Sequence, residues 1–356
     1  MDRIRKLMQM TKDCCDAVII QNGVDRFYFT GFSSSAGTLV VMPDEAVFYA
    51  DSRYIQAARE KVKDCRVILE EDLPQQLNRL LKDRNVQTVG FETHAISFQA
   101  ACALEEMIKP ARLLKDSRVS NAILSMRMIK DERELSYLRE AQRITDYAFS
   151  KCLSVIREGA TKLDVMIAMG EEMARQGCEK RSFNMILTCG AQTALPHGDP
   201  TDAVIRNGDF VMMDVGAMVG GYAADMTRTV VVGKVSTEQR DVYNTVLRAQ
   251  ESALSAIRPG KCCRDIDRIA RDLIDASPYK EGRFGHGLGH SLGLEIHESP
   301  RLNPTCETIL QPGMMMTVEP GIYLPGRFGV RIEDMIAVTE NGYENMTRSP
   351  KELIVL

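Results

Sequence analysis

The sequence predicts two domains, an α/β domain followed by an α+β domain with an internal pseudo-two-fold repeat. Its 356 residues exceed the usual size of a single hydrophobic core. The first third alternates short apolar runs with helical patterns, and the remainder repeats the order helix, helix, sheet. The domain boundary is expected near Asn121–Arg127, just before the charged stretch Lys130–Glu134. We therefore predict that the first domain covers residues 1–124 and the second covers residues 125–356.

The first domain contains five short apolar runs that predict strands and three segments with helical periodicity. The predicted strands are Ala17–Ile20, Thr38–Met42, Ala46–Ala50, Arg66–Leu69 and Thr88–Phe91, and the predicted helices are Ser52–Val62, Leu73–Lys82 and Ser97–Ile108. Pro43 and Asp44 supply the turn between the second and third strands. This alternation is typical of a small α/β domain.

The second domain repeats one pattern. A long helix ends before Gly159 and another begins after Thr161, and the same order recurs with helices that begin near Ser236 and Asp265. Glycine-rich segments and predicted strands follow each pair of helices. Two half-domains with the same order indicate a pseudo-two-fold core.

Composition excludes several classes of function. The chain is 44% hydrophobic and 26% charged, as in ordinary globular enzymes. Its formal net charge of −4 argues against nucleic-acid and membrane-surface partners. We expect a cytoplasmic protein, because the N-terminus lacks a signal-peptide hydrophobic region and no apolar run approaches the roughly 20 residues of a membrane span. The ten cysteines lack zinc-site spacing, which predicts reduced thiols.

The first candidate site is a hairpin with two acids. Phe210–Gly216 and Tyr222–Val232 are predicted strands. A hairpin symmetric about Val219-Gly220 would place Asp214 directly opposite Asp225. Facing like charges are destabilising and burying them is costly, so we expect a cation between them. The alternative is that both are solvated turn residues.

The second candidate hairpin repeats this feature. Met314–Glu319 and Val330–Val338 are predicted strands, and a hairpin centred on Gly326 would place Glu319 opposite Glu333. These acids alone are also consistent with a solvated strand. Two such pairs in the two halves of a repeated domain favour one shared cation site.

Four of the five histidines lie in the second domain. His286 and His290 alternate with glycines, which would let the backbone approach a ligand closely. His297 follows shortly after, and His197 lies in a loop after the predicted strand Met185–Cys189. A single histidine is more often structural or solvated than functional. Four carboxylates with one imidazole nevertheless suit manganese, cobalt or a similar divalent ion. Two ions, about 3.5–4 Å apart, would balance so many carboxylates.

These residues resemble those of the pita-bread metallopeptidase superfamily, which includes methionine aminopeptidase, aminopeptidase P and prolidase. The resemblance lies in Asp214, Asp225, His290, Glu319 and Glu333, in GHGLGH at 285–290, and in VEPGIYLPGRFGVRIEDM at 318–335. Thr30-Gly31-Phe32 and Asp51-Ser52-Arg53-Tyr54 are similar to a creatinase-type N-terminal domain, which accompanies aminopeptidase P and prolidase. The resemblance implies a pita-bread fold for the second domain.

The resemblance also implies five metal ligands. Asp214 would chelate one ion, Asp225 and Glu333 would bridge both, and His290 and Glu319 would complete the other. Glu319 would also lie near the water that bridges the ions and takes part in catalysis. The expected cofactor is a pair of divalent ions, manganese above all, with cobalt or zinc as alternatives.

Other residues would contact the substrate or support the ligands. The resemblance implies that His197 and His297 stabilise the oxyanion, and that His286 lines the pocket. Arg331 would orient a carboxylate or a substrate group. Thr227 would support the ligand aspartate two residues before it.

The activity implied is that of an Xaa-Pro aminopeptidase, in which a hydroxide bridging the two metals attacks the bond before proline. Its substrates would be small peptides with proline at the second position, and a homodimer is expected. The alternatives are an Xaa-Pro dipeptidase, a methionine aminopeptidase and a non-catalytic binding protein. A dipeptidase needs a cation for the free carboxylate of proline, and Arg301 is the candidate.

Overall fold

The computed structural model describes residues 2–196, 198 and 203–356. The chain forms two compact units, Met1–Arg127 and Met128–Leu356. No helix in these described ranges is long and apolar enough to cross a membrane.

The N-terminal unit is an α/β domain. Its elements are α1 (Asp2–Thr11), β1 (Ala17–Ile20), α2 (Gly23–Thr30), β2 (Thr38–Val41), β3 (Ala46–Ala50), α3 (Ile55–Lys61), β4 (Arg66–Leu69), α4 (Leu73–Asp83), β5 (Thr88–Phe91), α5 (Phe98–Met107), β6 (Arg112–Leu113) and α6 (Arg118–Met128). The strands form one sheet in the order β4-β3-β2-β1-β5-β6. β1, β2 and β3 are antiparallel, whereas the outer pairs are parallel. The five predicted strands and three predicted helices are confirmed, with ends shifted by a few residues.

The sequence analysis missed three helices of this unit, α1, α2 and α6. The signals for α2 were present at its two ends. The Asn22 side chain accepts hydrogen bonds from the Val24 and Asp25 amides, and the helix ends at Gly31, whose φ is 66°. With only eight residues, α2 shows too little periodicity to be recognised without these caps.

The second unit has two similar halves. The first half contains α7 (Glu132–Cys152), α8 (Lys162–Arg175), β7 (Lys180–Arg181), β8 (Ile186–Cys189), a 3-10 helix (Gly190–Ala194), β9 (Phe210–Val215), β10 (Ala217–Val219), β11 (Tyr222–Ala223) and β12 (Met226–Val231). The second half contains α9 (Thr237–Ala256), α10 (Cys263–Asp275), a 3-10 helix (Lys280–Gly282), β13 (Gly289–Ser291), β14 (Glu298–Leu302), β15 (Met315–Val318), β16 (Gly321–Leu324), β17 (Phe328–Arg331), β18 (Asp334–Thr339) and β19 (Gly342–Asn345). The predicted repeat of two helices followed by strands is therefore confirmed.

Local sequence sets the starts of the long helices. Thr161 and Asp164 form a capping box at α8, and Ser236 and Gln239 form one at α9. Each box satisfies amide groups that the first helical turn leaves without partners. The helix starts predicted at Thr161 and Ser236 are therefore confirmed.

Each helix pair packs on strands, and the buried cluster under the second pair also includes Phe210 and Val231 of the first half. In the first half, Phe149 of α7 and Met169 of α8 share a buried cluster with Met213 of β9. In the second half, Val246 of α9 shares a cluster with Met316 of β15. The two cores fix the strands from which the acidic side chains project.

Candidate metal centre

The first acidic hairpin turns at two glycines. Val219 pairs with Tyr222, so Gly220 and Gly221 form a two-residue loop. Their φ angles are 58° and 79°, as the tight turns favoured in β-hairpins require. The turn therefore lies one residue later than the predicted centre at Val219-Gly220.

This shift changes the register of the two aspartates. Asp214 lies opposite Thr227, so the predicted facing of Asp214 and Asp225 is wrong. Asp225 lies two residues before Thr227, in a break between β11 and β12. Residues two apart on a strand point to the same face, so Asp225 still lies diagonally across from Asp214.

The second acidic hairpin has the predicted register. Val318 pairs with Asp334, and β16 pairs with β17 in the same register across the turn at Gly326. Glu319 and Glu333 lie between these two ladders at opposed positions. The predicted hairpin centred on Gly326 is confirmed.

Side chains from both hairpins and from β13 converge. Donor atoms of Asp225, His290 and Glu333 lie within 4.8 Å of one another. The Nε2 atom of His290 is 3.5 Å from Oδ2 of Asp225 and 3.5 Å from Oε1 of Glu319. Asp225, His290 and Glu333 are only 5%, 6% and 2% exposed. The structure thus brings together groups that are far apart in the sequence.

Asp214 extends this cluster. Its Oδ2 atom accepts a hydrogen bond of 2.6 Å from Nη2 of Arg331. Its Oδ1 atom is buried without a hydrogen-bond partner among the described residues. Burying a carboxylate oxygen without a hydrogen-bond partner costs free energy, so this oxygen is well suited to be a ligand of a cation.

The carboxylates repel one another strongly. Burial raises the pKa of Glu319 from 4.5 to about 8, and the neighbouring Glu333 contributes to this rise. Burial, with Asp214 and Glu319, raises the pKa of Asp225 well above its usual value. Burial, with Asp225 and Asp214, does the same for Glu333. Such groups are expected where a bound cation stabilises the ionised forms.

The donor set fits divalent metal ions. It offers carboxylate oxygens and one imidazole, and no cysteine belongs to the cluster. Oxygen-rich sets of this kind suit Mn²⁺ and related ions. All ten cysteines are free thiols, as predicted.

Thr227 supports Glu333 and not Asp225, so the role expected from the sequence is wrong. Its Oγ1 atom donates a 2.7 Å hydrogen bond to Oε2 of Glu333 and accepts one of 3.0 Å from Nε of Arg331. Thr227 contacts Glu333 because the two backbones are neighbours. The Glu333 amide donates a 3.1 Å hydrogen bond to the Thr227 carbonyl oxygen.

A buried ion pair lies behind the acids. Arg228 donates a 2.7 Å hydrogen bond to Asp334, which Lys351 also contacts at 2.9 Å. The same guanidinium donates to the carbonyl oxygens of Thr227 and Glu333. The side chain of Asp334 therefore points away from the cluster, as strand alternation predicts. The pair fixes the backbone that carries Glu333.

Gly289, directly before His290, permits a close approach between two strands. A Cβ atom on Gly289 would lie 2.0 Å from the carbonyl oxygen of Thr317 in β15. The close approach that Gly289 permits is therefore between strands. The amide of His290 donates to Oγ1 of Thr317 at 3.1 Å, which holds the histidine next to the acids.

Comparison with known proteins agrees with this geometry. The sequence profile of metallopeptidase family M24 matches residues 136–340, and that of the creatinase/prolidase N-terminal domain matches residues 1–129. The chain belongs to metallopeptidase family M24. The resemblance found in the sequence is thereby confirmed, including a creatinase-type N-terminal domain before a pita-bread domain.

Relatives of this M24 peptidase span its whole length. The structure of an Xaa-Pro dipeptidase from Bacillus anthracis is 38% identical with a TM-score of 0.96, and the match covers 100% of this chain and 99% of that one. An Xaa-Pro dipeptidase of Pyrococcus furiosus is 35% identical over 99% of both chains. The structure of an X-Pro aminopeptidase from Thermotoga maritima is 31% identical with a TM-score of 0.91, over 99% of both chains.

Sequence reasoning missed Tyr323 in this M24 peptidase. Its buried hydroxyl is 3.1 Å from Nε2 of His286 and accepts a 3.1 Å hydrogen bond from Nη1 of Arg331. His286 therefore reaches the acidic cluster through Tyr323 and Arg331. The sequence offered one signal for Tyr323. It follows Glu319 by an even number of residues in an extended segment, which predicts that both side chains lie on the same face.

The remaining predicted site residues have different surroundings. The ring of His297 stacks edge-on against that of His290, with centroids 4.5 Å apart. Arg301 is exposed and pairs with His290 across β13 and β14, and it forms no ion pair within the described part of the chain. His197 lies outside the described residues. His94, which was assigned no role, contacts Asp25 at 3.2 Å in the N-terminal unit.

We predict that the metal-free M24 peptidase loses stability as the pH rises. Glu319 keeps its proton in the folded state up to a pKa of about 8, against an ordinary value of 4.5. The folded state therefore binds more protons than the unfolded state between these values, and its stability falls across this range. The loss should be on the order of 5 kcal/mol, since the pKa rises from 4.5 to about 8 and one pKa unit corresponds to about 1.36 kcal/mol.

Urea unfolding of the chelator-treated protein at several pH values measures this loss. Glu319→Gln is the matched control, because it cannot titrate and should weaken the pH dependence, while the raised pKa values of Asp225 and Glu333 leave a remainder. Saturating Mn²⁺ should also weaken the pH dependence. An identical pH dependence in the wild type and in Glu319→Gln would contradict the assignment.

Proposed function

We propose that the chain is a dinuclear metal-dependent exopeptidase that hydrolyses the bond between an N-terminal residue and proline, with Xaa-Pro dipeptides as preferred substrates. The observation that carries this proposal is the convergence of two acidic hairpins and His290 in one buried cluster. Full-length similarity to two Xaa-Pro dipeptidases supports the dipeptide preference over the aminopeptidase activity that the sequence analysis favoured.

We assign the metal ligands within residues 125–356, the proposed catalytic domain. Asp214, Asp225 and Glu333 would hold one ion, and Asp225, Glu333, His290 and Glu319 would hold the other. The two ions, manganese by preference, would acidify a water and polarise the scissile carbonyl. Arg331 and Thr227 would keep the carboxylates of Asp214 and Glu333 in place through their hydrogen bonds.

Side chains, in addition to the metal ions, would transfer the proton and stabilise the oxyanion. In the proposal, Oε1 of Glu319 takes the proton of the attacking water and returns it to the proline nitrogen that leaves. His297 donates to the oxyanion, which is consistent with its contact with His290. His197 is proposed for the same role on the sequence resemblance alone.

Proline at the second position is compatible with such a site. The tertiary amide before proline has no N–H group and its φ angle is fixed. None of the groups proposed here needs an N–H donor from the substrate at that position. The site can therefore accept proline, because it does not require the N–H group that proline lacks.

The choice between dipeptidase and aminopeptidase depends on the far end of the site. A dipeptide presents the free carboxylate of proline, which an arginine binds best. Arg301 is exposed on β14, opposite His290. An Xaa-Pro aminopeptidase is the second candidate, because an X-Pro aminopeptidase shares the fold along the whole chain. A homodimer also belongs to this proposal.

We predict that Asp225→Asn and Glu333→Gln lose metal and activity. Both side chains are assigned to both ions, so each variant should bind fewer than two ions per chain. We expect kcat/KM to fall at least about 100-fold, since even residues behind the ligands cost 10–100-fold in such sites. Metal analysis after dialysis and turnover of Ala-Pro measure this. Glu344→Gln, which breaks only the Arg139 ion pair, is the control. Full turnover by either ligand variant would contradict the proposal.

We predict that His297→Ala lowers kcat about 10²–10³-fold and keeps both metals, because an oxyanion donor acts in the transition state. His94→Ala in the N-terminal unit serves as the control and should have no effect. Loss of a metal ion from the His297→Ala protein would show that His297 is a ligand.

We predict that the wild type hydrolyses Ala-Pro faster than Ala-Pro-Ala, and that Arg301→Ala removes this preference. A charged hydrogen bond contributes about 1.5–3 kcal/mol, so KM for Ala-Pro should rise at least roughly 10-fold. Arg264 is another exposed arginine of the same unit, and Arg264→Ala should leave the hydrolysis of both peptides unchanged. A wild type that prefers Ala-Pro-Ala would support the aminopeptidase.

A further inference from the structure

Lys130 is a buried lysine outside the cluster described above. Its side chain is only 1% exposed, and its Nζ atom lies 3.1 Å from Oε2 of Glu298. The same ammonium donates to Oγ of Ser291 at 3.4 Å. Because burying an ammonium group is costly, it is retained where a charged partner and hydrogen bonds compensate it. We call Lys130, Ser291 and Glu298 the Lys130 clamp.

The clamp acts where the β13–β14 hairpin is irregular. His290 pairs with Arg301, but the next pair is Ser291 with Glu298, so the register shifts at this point. Two residues of β14 are left out of the ladder, as in a bulge, where local pairing is disrupted. The two side chains that Lys130 contacts belong to the cross-strand pair directly after the shift.

The two histidines of the site precede this pair. His290 comes immediately before Ser291, and His297 comes immediately before Glu298. His290 and Ser291 are successive residues of β13, so their side chains point to opposite faces, and His297 lies in the bend that leads into β14. The contact between the two imidazole rings, at 4.5 Å, therefore joins the two residues that directly precede the pair that Lys130 holds.

Both ends of the ion pair are themselves anchored. The amide of Lys130 donates to the carbonyl oxygen of Gly313 at 2.9 Å. The carboxylate of Glu298 accepts a second hydrogen bond, of 3.2 Å, from the Glu295 amide in the loop that leads to His297. The clamp thus ties the segment bearing His297 to a fixed part of the second unit.

We propose that Lys130 is a positioning residue that sets His297 relative to His290. This inference rests on the proposed function, in which His297 stabilises the oxyanion and His290 binds metal. Within the described residues Lys130 forms no hydrogen bond or ion pair with a proposed metal ligand, and in this proposal it acts through the backbone on either side of Ser291 and Glu298. In the sequence Lys130 stood out only as part of the charged stretch Lys130–Glu134.

Lys130→Met tests the proposal in a double-mutant cycle with His297→Ala. A misplacement of about 1 Å can cost roughly 100-fold in rate, so we expect kcat to fall about 10–100-fold with KM and metal content nearly unchanged. In the His297→Ala background the same change should cost less than about 2-fold, because the group that Lys130 positions is gone. Equal losses in both backgrounds would overturn the proposal.

Two further variants separate positioning from simple destabilisation. Lys130→Met leaves Glu298 buried without its ammonium, which can unfold the protein. The double variant Lys130→Met/Glu298→Gln removes both charges and should fold while keeping the low kcat. Arg139→Met, which breaks a half-exposed ion pair of the same unit, should keep the wild-type kcat. A double variant with wild-type kcat would overturn the proposal.

Histidine NMR gives a readout that does not depend on turnover. In Zn²⁺-loaded protein labelled at histidine Cε1, Lys130→Met should shift the His290 and His297 resonances and leave His94 unchanged. Arg139→Met should shift none of them. Unchanged His290 and His297 signals in Lys130→Met would overturn the proposal. If the wild type cleaved no Xaa-Pro peptide while these shifts occurred, only the proposed function would be refuted.

Discussion

The structure of the second unit is organised around the repulsion between four carboxylates that lie close together with little access to water. Asp225 and Glu333 are almost completely buried, and burial together with neighbouring acids raises the pKa of Asp225, Glu319 and Glu333. The Arg331 guanidinium contacts one carboxylate, that of Asp214, and a single cation cannot balance four acids. Two divalent ions would do so, and membership of metallopeptidase family M24 agrees with this requirement.

The fold brings the four carboxylates together by repeating one feature, an acidic hairpin, in both halves of the unit. Each half of the unit contributes a hairpin whose ladder is interrupted where an acid must leave the regular pleat, at Asp225 in one and at Glu319 and Glu333 in the other. Hydrogen bonds on both sides then hold the acids in place. Thr227 and Arg331 form hydrogen bonds with the acids themselves. Arg228 and Asp334 pair on the opposite face of the segment that carries Glu333. Two buried clusters, one of which joins residues of both halves, keep these strands in position.

Much of this arrangement could be predicted from the sequence, and the failures have physical causes. The opposed positions of Glu319 and Glu333 followed from a hairpin symmetric about Gly326. The same reasoning failed for Asp214 because two adjacent glycines moved the first turn by one residue. Strand periodicity relates Tyr323 to Glu319 but carries no information on its contact with His286, or on the contacts of Lys130 with Ser291 and Glu298, because these residues are far apart in the chain.

Anomalous X-ray diffraction from Mn²⁺-loaded crystals tests the central claim most directly. The account predicts two manganese peaks about 3.5–4 Å apart, with the carboxylates of Asp225 and Glu333 between them. One peak should also contact Asp214, and the other should contact His290 and Glu319. A single peak, or manganese bound only outside this cluster, would contradict the dinuclear centre.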